Sequence, residues 1–274
     1  MTASTIPTTK PLPRPGSRTD VMLGFRPLVR KDLAEWAHGP RAWVVLIVTA
    51  TFMALSAANA WLNAWVVANV PTDPSVARAP MSMVPFDNVM TAVGSQIFVI
   101  VAIFASMSLL IVERENGALA WLASKPVARG GIWAAKALAA ISVLWVAAAI
   151  VPLVITAAVV TVLYGAPSIV PLIGVVVGAG ATIALFVTVV LVASTVVSSQ
   201  PAVAAIGIAV MILPTIVAGV LPIQIEPYLP TSILGWAVGL GLGADVGVAT
   251  PVAWAVSMAA LVAFAVGRME RLEL

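Results

Sequence analysis

Six charged side chains stand between Glu113 and Lys136: Glu113, Arg114, Glu115, Lys125, Arg129 and Lys136. The 89 residues that follow, 137–225, contain no Asp, Glu, Lys, Arg or His. Carboxylates and bases at this spacing can pair with one another or with a charged partner, but they offer neither a thiolate nor an imidazole. The chain has no Cys, and its one His, His38, lies far upstream. No Gly-Lys dipeptide occurs, so there is no G-x-x-x-x-G-K-[ST] phosphate loop, and HExxH and GxSxG are also missing. No catalytic residue and no metal site are expected.

A second group of polar side chains stands in apolar surroundings. Thr49, Ser56, Asn59 and Asn63 recur at intervals of seven, three and four, close to one side of a helix. Gln96, with Ser95, opens another apolar stretch. Amides and hydroxyls in lipid seek partners, so these face either neighbouring helices or a cavity. Interhelical hydrogen bonding and the lining of a transport path are both open readings.

The elements that position these groups follow from composition. Of 274 residues 61% are hydrophobic and 9% charged, against about 25% charged in a soluble domain. The mean hydropathy of +1.09 places the chain in the membrane class. Six spans are expected, at about 43–67, 91–112, 137–163, 172–197, 202–221 and 252–266. Each is long enough to cross a bilayer as a helix, which satisfies its own backbone groups there. No span contains a carboxylate, so the ion relays of many gradient-driven transporters are missing.

Charge distribution sets the orientation. Thirteen of the fourteen Lys and Arg residues precede span one, lie between spans two and three, or follow span six. Both termini and the 113–136 segment are therefore expected in the cytoplasm. The basic pI follows from this bias and does not point to nucleic acid. Residues 1–22, rich in Pro, Ser and Thr, read as a disordered tail with no signal peptide. Residues 23–274 read as one transmembrane domain. Trp36, Trp43, Trp61, Trp65 and Trp133 are expected at headgroup level, and Trp145 in packing.

Three shorter elements complete the expectation. Pro27–Trp36 reads as an amphipathic helix with Phe25, Leu28, Val29, Leu33 and Trp36 on one side, set among headgroups. Asp32 interrupts that side and needs a partner, for which a base of the 113–136 segment is a candidate. Gly117–Ala123 reads as two helical turns ended by Pro126, with Leu119 and Leu122 buried against the chain's own helices or a partner. The apolar, Gly-rich stretch 222–251 reads as re-entrant or interfacial outer helices. Pro152 and Pro214 are expected to kink their spans, and Gly174 with Gly178 to allow a close approach, within the chain rather than between chains.

These parts together resemble the permease subunits of ABC-2 type transporters. Arg30-Lys31-Asp32-Leu33 followed by Gly39-Pro40-Arg41 is similar to that family's interface helix. Glu113-Arg114-Glu115-Asn116-Gly117, then Leu119, Leu122, Pro126, Arg129 and Lys136, is similar to its loop between spans two and three. Leu229-Pro230 and the charged tail from Arg268 agree. The resemblance implies an all-α integral membrane protein with six transmembrane helices, an N-terminal interface helix, a cytoplasmic coupling helix and outer re-entrant helices. It implies that Glu113, Arg114, Glu115, Gly117, Leu119, Trp121, Leu122, Pro126 and Arg129 seat on a separate ABC ATPase subunit, which holds ATP and Mg. Arg30, Lys31, Asp32, Leu33 and Trp36 would form the interface helix, and Ser56, Asn59, Asn63 and Gln96 the transport path.

The implied protein is not itself an enzyme. It works as a dimer with a second permease copy or homologue, in contact with membrane lipids and open to a separate extracytoplasmic protein. Its place is the plasma membrane, with a prokaryotic inner membrane expected. Its cargo is expected to be amphipathic, lipid-like or drug-like, and exported. A non-transporting scaffold for an ATPase and a gradient-driven transporter are the competing readings.

Overall fold

The computed structural model describes residues 25–69, 86–123, 127–165, 169–220 and 223–271. Every described element is helical. The order is α1 (Phe25–His38), α2 (Pro40–Asn69), α3 (Phe86–Ser106), α4 (Ile111–Glu115), α5 (Ala118–Ala123) and α6 (Arg129–Leu144). A π-helical segment (Trp145–Ile150) joins α6 to α7 (Val151–Tyr164). Then come α8 (Ile169–Val196), α9 (Gln200–Val220), two 3₁₀ turns (Ile223–Tyr228, Pro230–Ser232), α10 (Ile233–Gly241) and α11 (Ala249–Glu270). The expected tail at 1–22 and Pro126 lie outside the described residues.

Five helical stretches among the described residues are long and apolar enough to cross a membrane: Pro40–Ala58, Gln96–Glu115, Arg129–Leu163, Ile169–Val196 and Ala249–Glu270. The fifth expected span, 202–221, falls on α9, whose apolar stretch Gln200–Pro214 is shorter. The two expected boundaries that flank the charged segment change. Backbone hydrogen bonds continue past α3 through Met107 N–H to Ile103 O (3.0 Å) and Arg114 N–H to Leu110 O (3.0 Å), so the second stretch runs to Glu115 rather than Val112. The third begins at Arg129 rather than 137, because Lys136 is paired inside the bundle and does not have to remain in water.

The core is built around α8. Its apolar window is 72% buried, against 11% for α11, so α8 is central and α11 peripheral. The Gly174/Gly178 pair explains how α10 reaches α8. A methyl group on Gly178 would stand 2.9 Å from Leu234 Cδ1 and 3.0 Å from Ala237 Cβ, and one on Gly174 would collide with the Ala237 carbonyl. The close approach is within the chain, as the sequence suggested, and its partner is the outer segment before α11. Thr250 Oγ1 donates to Pro227 O at 2.9 Å, and the Trp236 indole to Gly247 O at 2.7 Å, which ties that segment to the start of α11.

Pro152 stands in the first turn of α7, directly after the π segment. Its ring would press on the carbonyl of Ala148 in a regular α-helix, and a π turn is one way to widen the helix there. The Trp145 indole donates to Val176 O at 2.8 Å and so pins the segment to α8. Two tryptophans differ from expectation. Trp36 and Trp133 are buried within the protein, whereas Trp43 and Trp65 are exposed.

Candidate functional site

Lys136 is the centre of the charged end of the fold. It lies on α6 one turn beyond Trp133 and Ile132, both buried, so helical spacing carries it into the same interior. Its Nζ donates to Glu113 Oε1 at 2.5 Å and stands 3.6 Å from Asp32 Oδ2. The side chains of Lys136, Asp32 and Glu113 are 6%, 10% and 22% exposed. One ammonium thus serves two carboxylates on two other elements, α1 and α4. Burying such charges is tolerable only when they are paired, and removing one partner strands the others. The pairing of Asp32 with a base of the 113–136 segment matches the need read from sequence.

The same cluster fixes the lie of α1. Asp32 and Trp36 are its buried residues, and the helix packs against α6. The face expected to sit among headgroups is therefore turned partly onto protein. Leu28 packs on the core, and Leu33 is half-buried, while Arg30 and Lys31 are exposed. A cavity of about 300 Å³ opens beside the cluster, lined by Trp36, Arg41, Ser108, Leu109, Glu113 and Lys136. Glu113 Oε2 and the Trp133 indole nitrogen are buried without a hydrogen-bond partner among the described residues.

Arg114 holds α4 from the other side. Its Nη1 donates to Ser194 O at 3.4 Å, near the C-terminal end of α8, where carbonyls lack helical partners and a cation is favoured. After Glu115 and Asn116, Gly117 takes a φ of +69°, a left-handed turn that costs other residues steric strain. The Gly117 carbonyl accepts the Trp121 N–H at 3.1 Å and starts α5.

The α5 helix divides the expected coupling residues. Leu119 is buried at 1% exposure, and Leu122 is half-buried against the core. They anchor the helix to its own chain. Trp121 is 63% exposed, and Glu115, Asn116, Gly117 and Ala120 share its exposure. Leu119 is thus turned inward, and Leu122, one turn on, packs beside it on the core. Arg129 is half-buried at the start of α6.

Of the expected path residues, the side chains of Ser56 and Gln96 are among the described residues. Ser56 is half-buried on α2 and Gln96 exposed on α3, and neither makes a hydrogen bond among the described residues. Asn59 and Asn63 belong to α2, but their side chains lie outside the described residues. Two features went unread in the sequence. Arg114's contact with α8 had no local signal. Lys136 had one, a base set among Ile132, Trp133, Ala139 and Ala140 on the apolar side of α6.

The sequence pattern that defines the ABC-2 family transporter proteins matches residues 26–256. Comparison with curated proteins finds no match.

Proposed function

The chain belongs to the ABC-2 transporter family, and on that premise we propose that it is the permease half of a split exporter, driven by an ATPase carried on a separate chain. As a member it is a multi-pass membrane protein and a transport component without catalysis of its own. The proposal concerns the partner, the direction and the cargo. The observation that carries it is the Lys136 cluster, which joins α1, α4 and α6 directly behind the exposed turn of Glu115–Gly117 and Trp121.

A force applied to that turn reaches three elements at once. Glu113 passes it to Lys136 and α6, Arg114 to α8, and Lys136 through Asp32 to α1. Two carboxylates on one ammonium resist separation, since opening either pair leaves a buried charge alone. The ATPase, holding ATP and Mg, would close on nucleotide and push the turn. The permease halves of a dimer would then tilt and open a path between them. Both termini would be cytoplasmic, following the basic residues.

Ser56, Asn59, Asn63 and Gln96 would touch the cargo. The exposed apolar residues around them, including Phe52, Leu55 and Leu62, suit an amphipathic or lipid-like molecule better than a hydrated ion. The reading is tested by reconstituting the permease with a candidate soluble ATPase that carries the phosphate loop. Cargo movement should require ATP and persist when proton and sodium gradients are collapsed. Movement that follows a gradient without ATP sinks it.

A further inference from the structure

We propose that the outward face of α1 binds the phosphate of an anionic phospholipid, at a basin walled by Arg26, Arg30 and Lys31. Asp32 and Trp36 turn one side of α1 into the protein, and Arg26, Arg30, Lys31, Ala34 and His38 are exposed on the other. Arg26 and Arg30 are one helical turn apart and so neighbours on that face. With Pro27, Lys31 and Ala34 they line a single open basin that has no carboxylate in its wall. Neither arginine has an ion-pair partner among the described residues. Glu35, the acid nearest this face, sits at its edge, 4.0 Å from Lys31.

Two guanidinium groups and an ammonium around an apolar floor are suited to a phosphate oxygen cluster, which guanidinium forks bind in bidentate fashion. The level of the basin points to a lipid as the source. The chain passes from α1 through Gly39 directly into α2, where Trp43, Val44 and Ile47 are exposed from the first turns. An exposed Trp at the head of a membrane-crossing helix marks the headgroup layer. α1 packs against α6, and its Asp32 meets Lys136 about two turns inside the membrane-crossing stretch Arg129–Leu163, so the basin stands beside that layer and not deep in the cytoplasm. The same Lys136 cluster that holds α1 against α6 therefore presents its basic side to lipid phosphates. Lipid binding here would brace α1, the helix that Asp32 couples to Lys136.

The test is native mass spectrometry of the whole purified chain in detergent, titrated with phosphatidylglycerol, phosphatidylcholine or inorganic phosphate. The expected result is preferential retention of phosphatidylglycerol, with Arg26→Gln/Arg30→Gln weakening it by roughly 30-fold if each base contributes as juxtamembrane bases do. The exposed pair Arg268→Gln/Arg271→Gln serves as the control and should leave retention unchanged. Equal retention of phosphatidylcholine, or equal loss in both double variants, would mean diffuse charge and overturn the site. Saturation by inorganic phosphate alone would overturn the lipid as its ligand. So would a double variant that keeps its phosphatidylglycerol but no longer holds the ATPase, which would assign the face to protein.

Discussion

Asp32 on α1 and Lys136 on α6 stand 3.6 Å apart inside the protein, both at least nine-tenths buried. Lys136 also holds Glu113 at 2.5 Å, so its removal strands two carboxylates. Lys136→Met should therefore destabilise the protein by about 3–5 kcal/mol, the scale for breaking a buried pair from one side. Thermal unfolding in detergent reads this as a lower Tm. Adding Asp32→Asn and Glu113→Gln to Lys136→Met removes the stranded charges and should restore most of the loss. The triple variant should still stimulate its ATPase poorly, because the ionic tie between the three elements is gone. Full stimulation by the triple variant would reduce the cluster to a matter of folding.

The docking of α10 on α8 gives two changes of opposite sign. A side chain on Gly178 has no room, since its first carbon would stand 2.9 Å from Leu234 Cδ1. Gly178→Val should cost about 1–3 kcal/mol by overpacking. Gly235, on α10 itself, has open space around it. Gly235→Ala should stabilise by up to about 1 kcal/mol through helix propensity. A pair of melting curves that shift in the same direction would contradict this packing.

The amides of α2 separate transport from assembly. Asn59→Leu with Asn63→Leu should lower ATP-driven cargo movement several-fold and leave co-purification with the ATPase unchanged. Transport at the unaltered rate would leave the asparagines as structural residues.

Much of the fold was legible in the sequence because lipid imposes a simple rule, that long apolar stretches become helices. The need of Asp32 for a cation could be read for a related reason, since an acid on an apolar face demands one. The start of α6 was misplaced because Lys136 was treated as a solvated charge, and a Lys with two buried carboxylates no longer marks where water begins. Trp133 and Trp36 were assigned to headgroups by type, yet α1 and α6 bury them against one another's neighbourhood, a tertiary effect with no periodic signal. Leu119 and Trp121 differ only in angle on a six-residue helix. Only the packing beneath that helix showed which of them faces outward.

The coupling claim rests on which residues a partner can reach, and the absence of Cys from the chain allows it to be tested without background thiols. Trp121→Cys places one thiol on the exposed side of α5, and Val248→Cys places one before α11, beside the outer segment. With a thiol-to-amine crosslinker and the reconstituted ATPase, the account predicts a crosslinked permease–ATPase product from Trp121→Cys, changing in yield with ATP, and none from Val248→Cys. A product from Val248→Cys with none from Trp121→Cys would contradict it.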